Sequence, residues 1–326
     1  FEEHSFEISE YETLPNVYYV ILDGYPRNDV LKEHMNFDNS EFTNLLKQRG
    51  FHVAESSYAN YSFSSQSISS TMNMGYVNFL AEQFGEDSRE YNPLLGKDVG
   101  LYADNQVIKN FKLMGYKVVK IGSAATYIHK MPLADLSPCY KTIHLMDNRL
   151  FDAVGRTSMI GYFIERWSEE QQRQIILCDF EELRKINDYF EERIFVWSHI
   201  TLPHFPLIFG PNGEPITPGT SLLTMNHPEY TDNSWDVKQQ FVQQIQCANK
   251  KSIEFIDKIL ENEKRSIIII QSDHGSAFGV NLQDPTDDDV FQRLSNFNAI
   301  YFPDEKHREM LTYDRTNVNT FRIVFN

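Results

Sequence analysis

The chain has 326 residues, a formal net charge of -16, 41% hydrophobic residues and 23% charged residues. This is a globular composition, long enough to bury a substantial core in one large α/β domain or two smaller ones. The acidic balance excludes a general nucleic-acid binder and a polybasic membrane-surface module. No apolar run approaches the roughly 18 residues that a membrane span needs.

Residues 1–15 are a polar, acidic lead-in. The run NVYYVIL, Asn16 to Leu22, predicts a strand buried on both faces, and it stops at Asp23-Gly24. Ser40 is placed to cap a helix carrying Phe42, Leu45 and Leu46 on one face, with Gly50 as its stop. A short strand is expected over 51–54. A serine-rich segment, Ser56 to Ser70, leads into a helix through Met74. Asp104 to Met114 reads as a helix closed by Gly115, and Tyr116 to Ile121 as a strand. The stretch 123–190 is less regular and partly helical. Arg193 to Ser198 is a strand, 204–231 a long loop rich in Pro, Gly and Asn, and Ser234 to Asn262 a helix. Ser266 to Ile270 (SIIII) is the strongest buried-strand signal. The acidic patch Asp284 to Asp289 reads as a solvated loop, and Asn298 to Phe302 as a further strand. Strands alternating with helices predict an α/β fold with a mostly parallel central sheet sandwiched by helices. Residues 16–326 form one domain on this reading. The chain starts without Met or a signal peptide and ends in a strand-like Phe325-Asn326, so it reads as a piece of a longer protein. Cys139, Cys178 and Cys247 permit at most one disulfide and no CxxC zinc site.

In open α/β sheets, sites form beyond the carboxyl ends of strands. Two strand ends carry chemistry: LDG with Asp23, and IIIIQSDHG with Asp273 and His274. Carboxylates and an imidazole are hard and borderline metal ligands. Asp23 before Gly24 reads equally as a turn residue. Asp273-His274 at the mouth of a buried strand needs polar partners, and a metal is a good one. The segment Asn60 to Ser67 could place a hydroxyl at a helix N-terminus, where backbone N–H groups favour an anion, although serines there also serve as simple caps. His199 and His204 follow the RIFVWS strand, and the prolines beside His204 fix its backbone direction.

The order Asp23-Gly24-Tyr25, serine segment, Pro203-His204-Phe205-Pro206, Ser272-Asp273-His274-Gly275 resembles the alkaline phosphatase superfamily in its sulfatase-like branch. It is most similar to the membrane-anchored lipoteichoic acid synthase and phosphoethanolamine transferase-like enzymes of bacterial surface-polysaccharide loci. NVYYVILDGYPRNDVL, SSTMNMGY, HITLPHFPLIFGPNG, IIIIQSDHGSAFG and SNFNAIYFPD carry the likeness, which extends over residues 16–326.

The resemblance implies a metal-dependent phospho-group transferase, of phosphoglycerol or phosphoethanolamine type, working through a covalent intermediate. It implies one divalent ion, manganese or zinc, with magnesium the third choice, held by Asp23, Asp273 and His274 together with the nucleophile. The nucleophile maps to Ser64, with Ser67 as the serine after it and Ser62 and Ser65 as competitors. His204 would contact the transferred group or protonate the leaving group, and His199 would stand behind it. Arg27 and Asn60 are weaker substrate contacts. The implied partners are a phospholipid-type donor and a bacterial cell-surface glycan acceptor. The implied place is outside the cytoplasmic membrane, with membrane attachment through segments outside this chain. SFSSQSIS lacks the Pro and Arg of a sulfatase CxPxR segment, which disfavours arylsulfate hydrolysis. The next histidine after His274 is His307, in a charged stretch read as solvent-exposed, so one metal site rather than two is expected. Two other readings stand: a phosphodiesterase, phosphatase or sulfatase-type hydrolase, and a catalytically degenerate glycan- or partner-binding domain.

Overall fold

The computed structural model describes residues 14–85, 101, 104–122, 131–139, 160–216, 234–263, 265–282 and 284–326. The lead-in lies outside these residues up to 13, as do parts of the irregular middle and of the long loop.

The first half of the chain gives β1 (Val17–Leu22), α1 (Asn28–Met35), α2 (Ser40–Gln48), β2 (His52–Val53) and β3 (Ser56–Tyr58). Next come α3 (Ser64–Met72), α4 (Phe79–Phe84), α5 (Gln106–Leu113), β4 (Lys117–Gly122) and the long α6 (Ile160–Lys185). The second half gives β5 (Ile194–Ile200), α7 (Trp235–Asn262), β6 (Ile267–Gln271), α8 (Asp287–Leu294) and β7 (Asn298–Tyr301). It closes with α9 (Glu305–Glu309), β8 (Asp314–Thr316) and α10 (Thr320–Val324).

The main sheet has six strands in the order β2-β7-β6-β1-β5-β4. β4, β5, β1 and β6 run parallel, while β7 is antiparallel to β6 and β2 antiparallel to β7. β1 and β6 are central and buried at every residue, as their unbroken apolar runs require. Side chains alternate between two cores. Tyr18, Val20 and Leu22 pack with α1, α2, α6 and α7, and Val17, Tyr19 and Ile21 pack with α3, α5 and α10. Each fully buried isoleucine of β6 is worth roughly 1.5–3 kcal/mol in transfer from water. Truncating Ile269 to Ala would cost about 2–5 kcal/mol. The register sets Ile21 beside both His199 and Gln271, so three strands end level and their following residues converge.

Several local expectations change. The acidic patch is solvated, and 284–286 are loop, but Asp287, Asp288 and Asp289 form the first turn of α8, where the positive end of the helix dipole favours them, and Thr286 and Asp289 make a capping box. The C-terminal residues are helical, not a strand, because Phe321 turns into the core against Tyr19, Phe111 and Phe195. His307 is half-buried rather than solvent-exposed; it stacks on Phe302 at 5.1 Å and its Nδ1 lies 2.7 Å from Asp304. Ser40 opens α2 while Asn39 occupies its cap position. A small parallel pair, β3 with β8, was not anticipated. The one bridge that three cysteines permit joins Cys139 to Cys178, leaving Cys247 buried and unbonded. Among the described residues no helix is long and apolar enough to cross a membrane.

Candidate active site

The backbone N–H of Asp23 donates to Ile200 O, carrying the β1–β5 pairing one residue past the strand end. Gly24 then turns the chain at φ 68°, and its N–H donates to Asp273 Oδ1 at 3.1 Å. A Cβ at Gly24 would meet His274 Cε1 at 3.4 Å, so the turn needs glycine for conformation as well as for space. The β6 end is tied down by Ser272. Its hydroxyl donates to His274 O at 2.6 Å and accepts from Tyr25 N at 2.8 Å, and its carbonyl accepts from Asn296 and Asn317. Gly275 lies so close to Gln292 O and Ser295 O that any Cβ would sit 2.3 Å and 2.6 Å from them.

These turns bring Asp23, Asp273 and His274 together, all at 6% exposure or less. One ligand atom from each lies within 4.8 Å of the others. His274 Nε2 is 3.6 Å from Asp23 Oδ1 and 3.5 Å from Asp273 Oδ2, and neither carboxylate oxygen has a hydrogen-bond partner. His274 Nδ1 lies 2.9 Å from Gly275 O. A carbonyl can only accept, so Nδ1 carries the hydrogen and Nε2 presents its lone pair to the carboxylates. Burial, helped by the Arg293 guanidinium, pushes His274 below the ordinary imidazole range against the pull of Asp273 and Asp23. Burial would raise the Asp23 carboxyl, but His204, His199 and His274 outweigh it and hold the group well below the usual carboxylate range. Two buried carboxyl groups whose unpartnered oxygens face one imidazole are costly unless a cation joins them. A divalent ion fits this set of one nitrogen and two carboxylates, and the chemistry suits zinc or manganese alike.

Ser64 is the first residue of α3, and its Oγ lies 3.2 Å from His274 Nε2. Ser67, one turn on, donates to Asp273 O at 2.6 Å and docks the helix onto the Asp273 turn. Ser65 instead bonds Gln66, and Ser62 enters only through its carbonyl, which accepts from Arg293 Nε. Among these serines, Ser64 is the one whose hydroxyl faces the carboxylate–imidazole cluster. His204 stands between cis Leu202–Pro203 and cis Phe205–Pro206, its Nδ1 2.9 Å from Phe205 O and its ring 6.5 Å from that of His274. With Gly24, Phe205, His274, Phe278 and Arg293 it lines a small recess beside the cluster.

The further residues carried over from the resemblance, His199, Arg27 and Asn60, all lie in the framework around the cluster. His199 is fully buried, and its Nε2 sits 3.3 Å from Asp23 Oδ2, so it stands directly behind the Asp23 carboxylate. Arg27 is buried against Tyr58 and Phe291, forks onto Asp29 and donates to Ser57 O, which leaves it occupied in the framework. The Asn60 side-chain carbonyl accepts from Val318 N at 2.9 Å and anchors the C-terminal segment. Two residues carried no signal in the sequence. Arg293, 5% exposed, donates to Gly275 O and Ser62 O and so links the Asp273 turn to the Ser64 segment. Gln244 of α7 donates to Pro203 O and His204 O and accepts from Ile208 N, which fixes the His204 loop. A lone Arg or Gln on an amphipathic helix looks like any polar position.

No protein-family model and no curated protein sequence matches the chain. Solved structures do. The C-terminal periplasmic domain of EptC from Escherichia coli, in complex with Zn, aligns at TM-score 0.57 and 10% identity over 95% of this chain and 81% of that one. The integral membrane lipooligosaccharide phosphoethanolamine transferase A (EptA) of Neisseria meningitidis aligns at 0.54 and 11%, over 97% of this chain and 55% of that one. The phosphonate monoester hydrolase of Agrobacterium radiobacter aligns at 0.58 and 13%, over 95% and 74%. The six-stranded sheet with helices on both faces is the α/β fold that these structures share, the fold class that the sequence led one to expect.

Proposed function

We propose that this domain is a metal-dependent phospho-group transferase of phosphoglycerol or phosphoethanolamine type, and that Ser64 carries the group between donor and acceptor. The observation that supports this most is the Ser64 hydroxyl, set at a helix N-terminus and aimed at His274 Nε2 beside two buried carboxylates with unpartnered oxygens. Asp23, Asp273 and His274 would hold the ion, with the Ser64 oxygen completing the set. When bound, the ion supplies Lewis acidity, which lowers the pKa of a hydroxyl and draws charge from phosphoryl oxygens.

Ser64 Oγ attacks phosphorus; the Oγ–P bond forms, the bond to the donor's leaving oxygen breaks, the Ser64 proton passes to water, and the leaving oxygen takes up one proton in turn. A second oxygen, from a sugar hydroxyl or water, then displaces Ser64. His204 hydrogen-bonds backbone through Nδ1, so its Nε2 handles the proton at the leaving and entering oxygens. The N–H groups that open α3 favour the phosphate charge. His199 and Ser67 hold Asp23 and Asp273 still, and positioning supplies much of such catalysis.

The donor is a phospholipid and the acceptor a surface glycan, and the setting is outside the cytoplasmic membrane, with attachment through segments outside this chain. The periplasmic transferase domains that share the fold favour this setting. The Cys139–Cys178 disulfide favours it too, since such bonds persist in oxidising compartments. The phosphonate hydrolase among the neighbours supports a second reading, in which water is the acceptor.

Incubation with vesicles of phosphatidylethanolamine or phosphatidylglycerol, followed by intact-mass and peptide mapping, tests the proposal. A phosphoethanolamine or phosphoglycerol adduct on Ser64, absent in Ser64→Ala, is expected. No adduct on Ser64 and no diacylglycerol release with either lipid would refute the proposal.

A further inference from the structure

Arg315 lies on β8, away from the Ser64 cluster, and is 5% exposed. Its Nη2 donates to His52 Nδ1 at 2.7 Å and approaches His52 O at 3.4 Å. Its Nε and Nη1 are buried with no partner, and no carboxylate forms an ion pair with it among the described residues. The nearest acid in sequence on β2's side, Glu55, turns outward to Lys47. Burial alone pulls the guanidinium down to about 10, so it remains charged at neutral pH.

A second buried side chain in the same place has the same problem. Asn298 of β7 is fully buried, and neither its Oδ1 nor its Nδ2 has a partner. His52 pairs with Ile300, and Asn298 lies two residues along β7 from it, bonded through its carbonyl to Ala54 N. Residues two apart on a strand share a face. His52 and Asn298 are therefore diagonal neighbours on one sheet face, roughly 7–8 Å apart. The Arg315 guanidinium is held at His52, which places it next to this pair of positions.

Leaving a cation and three N–H-bearing nitrogens without partners is expensive, and one small anion would satisfy these donors together, though not the Asn298 Oδ1 acceptor. We infer that Arg315 and Asn298 form a binding site for a small monovalent anion of halide size, between the β2 edge of the sheet and β8. One guanidinium and a neutral amide match a single negative charge. The complete burial selects a small ion over a phosphate or an organic acid. The site braces β8 against the sheet edge, and β8 leads directly into Asn317, which holds Ser272 O beneath the Asp273 turn.

Bromide is the probe. Crystals of the 326-residue chain soaked in bromide should show an anomalous peak within hydrogen-bond distance of Arg315 Nε or Nη1. In solution, the unfolding midpoint should rise by several degrees when chloride replaces gluconate at constant ionic strength, because a ligand of the native state alone stabilises it. Arg315→Gln should lose that dependence. Asn298→Ala, which keeps the cation, should shift it to higher chloride should the first variant not fold. Water density instead of bromide beside Arg315, or equal midpoints in chloride and gluconate for the wild type, would overturn the inference.

Discussion

Ser64 and His274 are 210 residues apart in the chain, yet the Ser64 hydroxyl lies 3.2 Å from His274 Nε2. Two separate devices produce that approach. Ser67 donates to Asp273 O and draws the first turn of α3 onto the Asp273 turn, and Arg293 bridges from Gly275 O to Ser62 O on the other side. Ser64, the proposed nucleophile, is therefore positioned through backbone carbonyls of the loop that carries Asp273 and His274, two of the three proposed ligands.

Replacing Ser64 should separate chemistry from folding. Its side chain makes one polar contact, so Ser64→Ala should fold normally and lose turnover by at least about a thousandfold. Ser65→Ala should stay within a few-fold of wild type, because its hydroxyl bonds only Gln66. Transfer assays beside thermal melts of both variants check this.

His199 should act through Asp23. Loss of a partner behind a ligand typically weakens metal affinity by about 10–100-fold. His199→Phe should therefore raise the zinc concentration needed for half-occupancy, read by competition with a fluorescent chelator. Unchanged affinity would show that the 3.3 Å contact with Asp23 is idle.

The parts of this site that were legible in the sequence share one cause. Asp23, Asp273 and His274 follow strands so apolar that the next polar residues had to sit at the strands' carboxyl ends, and parallel strands put those ends together. The Ser64 hydroxyl was one of several, because a serine run has no period; only the docking of Ser67 on Asp273 O separates them. Arg27 looked available and is not, since Asp29, Tyr58 and Phe291 enclose it from three elements. The C-terminal NTFRIVFN was a short apolar run, which periodicity alone does not assign to strand or helix. The β3–β8 pair is three residues long on each side and mostly polar, too short to show alternation.

Gly24 and Gly275 should tolerate little. Gly24→Ala forces a left-handed backbone onto alanine and presses on His274, at a cost of roughly 1–3 kcal/mol. Gly275→Ala meets backbone oxygens at 2.3 Å that do not yield, so it should be the more destabilising of the two in urea titrations.

Lys120 should make stability depend on pH from a position on β4 outside the Asp23–Asp273–His274 cluster. It is 3% exposed on β4, and burial pulls its ammonium down to about 8 against the attraction of Asp179. Between about 8 and its ordinary 10.5 the unfolded chain holds a proton that the native state does not. Rising pH therefore favours the native state across that window, by roughly 3 kcal/mol at most. Urea titrations from pH 7.5 to 10.5 should show the rise in wild type and a flatter profile in Lys120→Met.

The central claim is that Asp23, Asp273 and His274 form a metal centre in front of Ser64. Metal content of the purified chain after zinc or manganese loading and desalting, with Asp273→Ala measured alongside, tests it most directly, followed by anomalous scattering to locate the ion. Close to one ion per chain is expected, lost in the variant, with its anomalous peak between the three side chains and Ser64 Oγ. A wild type that retains no metal after loading, or an ion bound elsewhere and kept by Asp273→Ala, would contradict it.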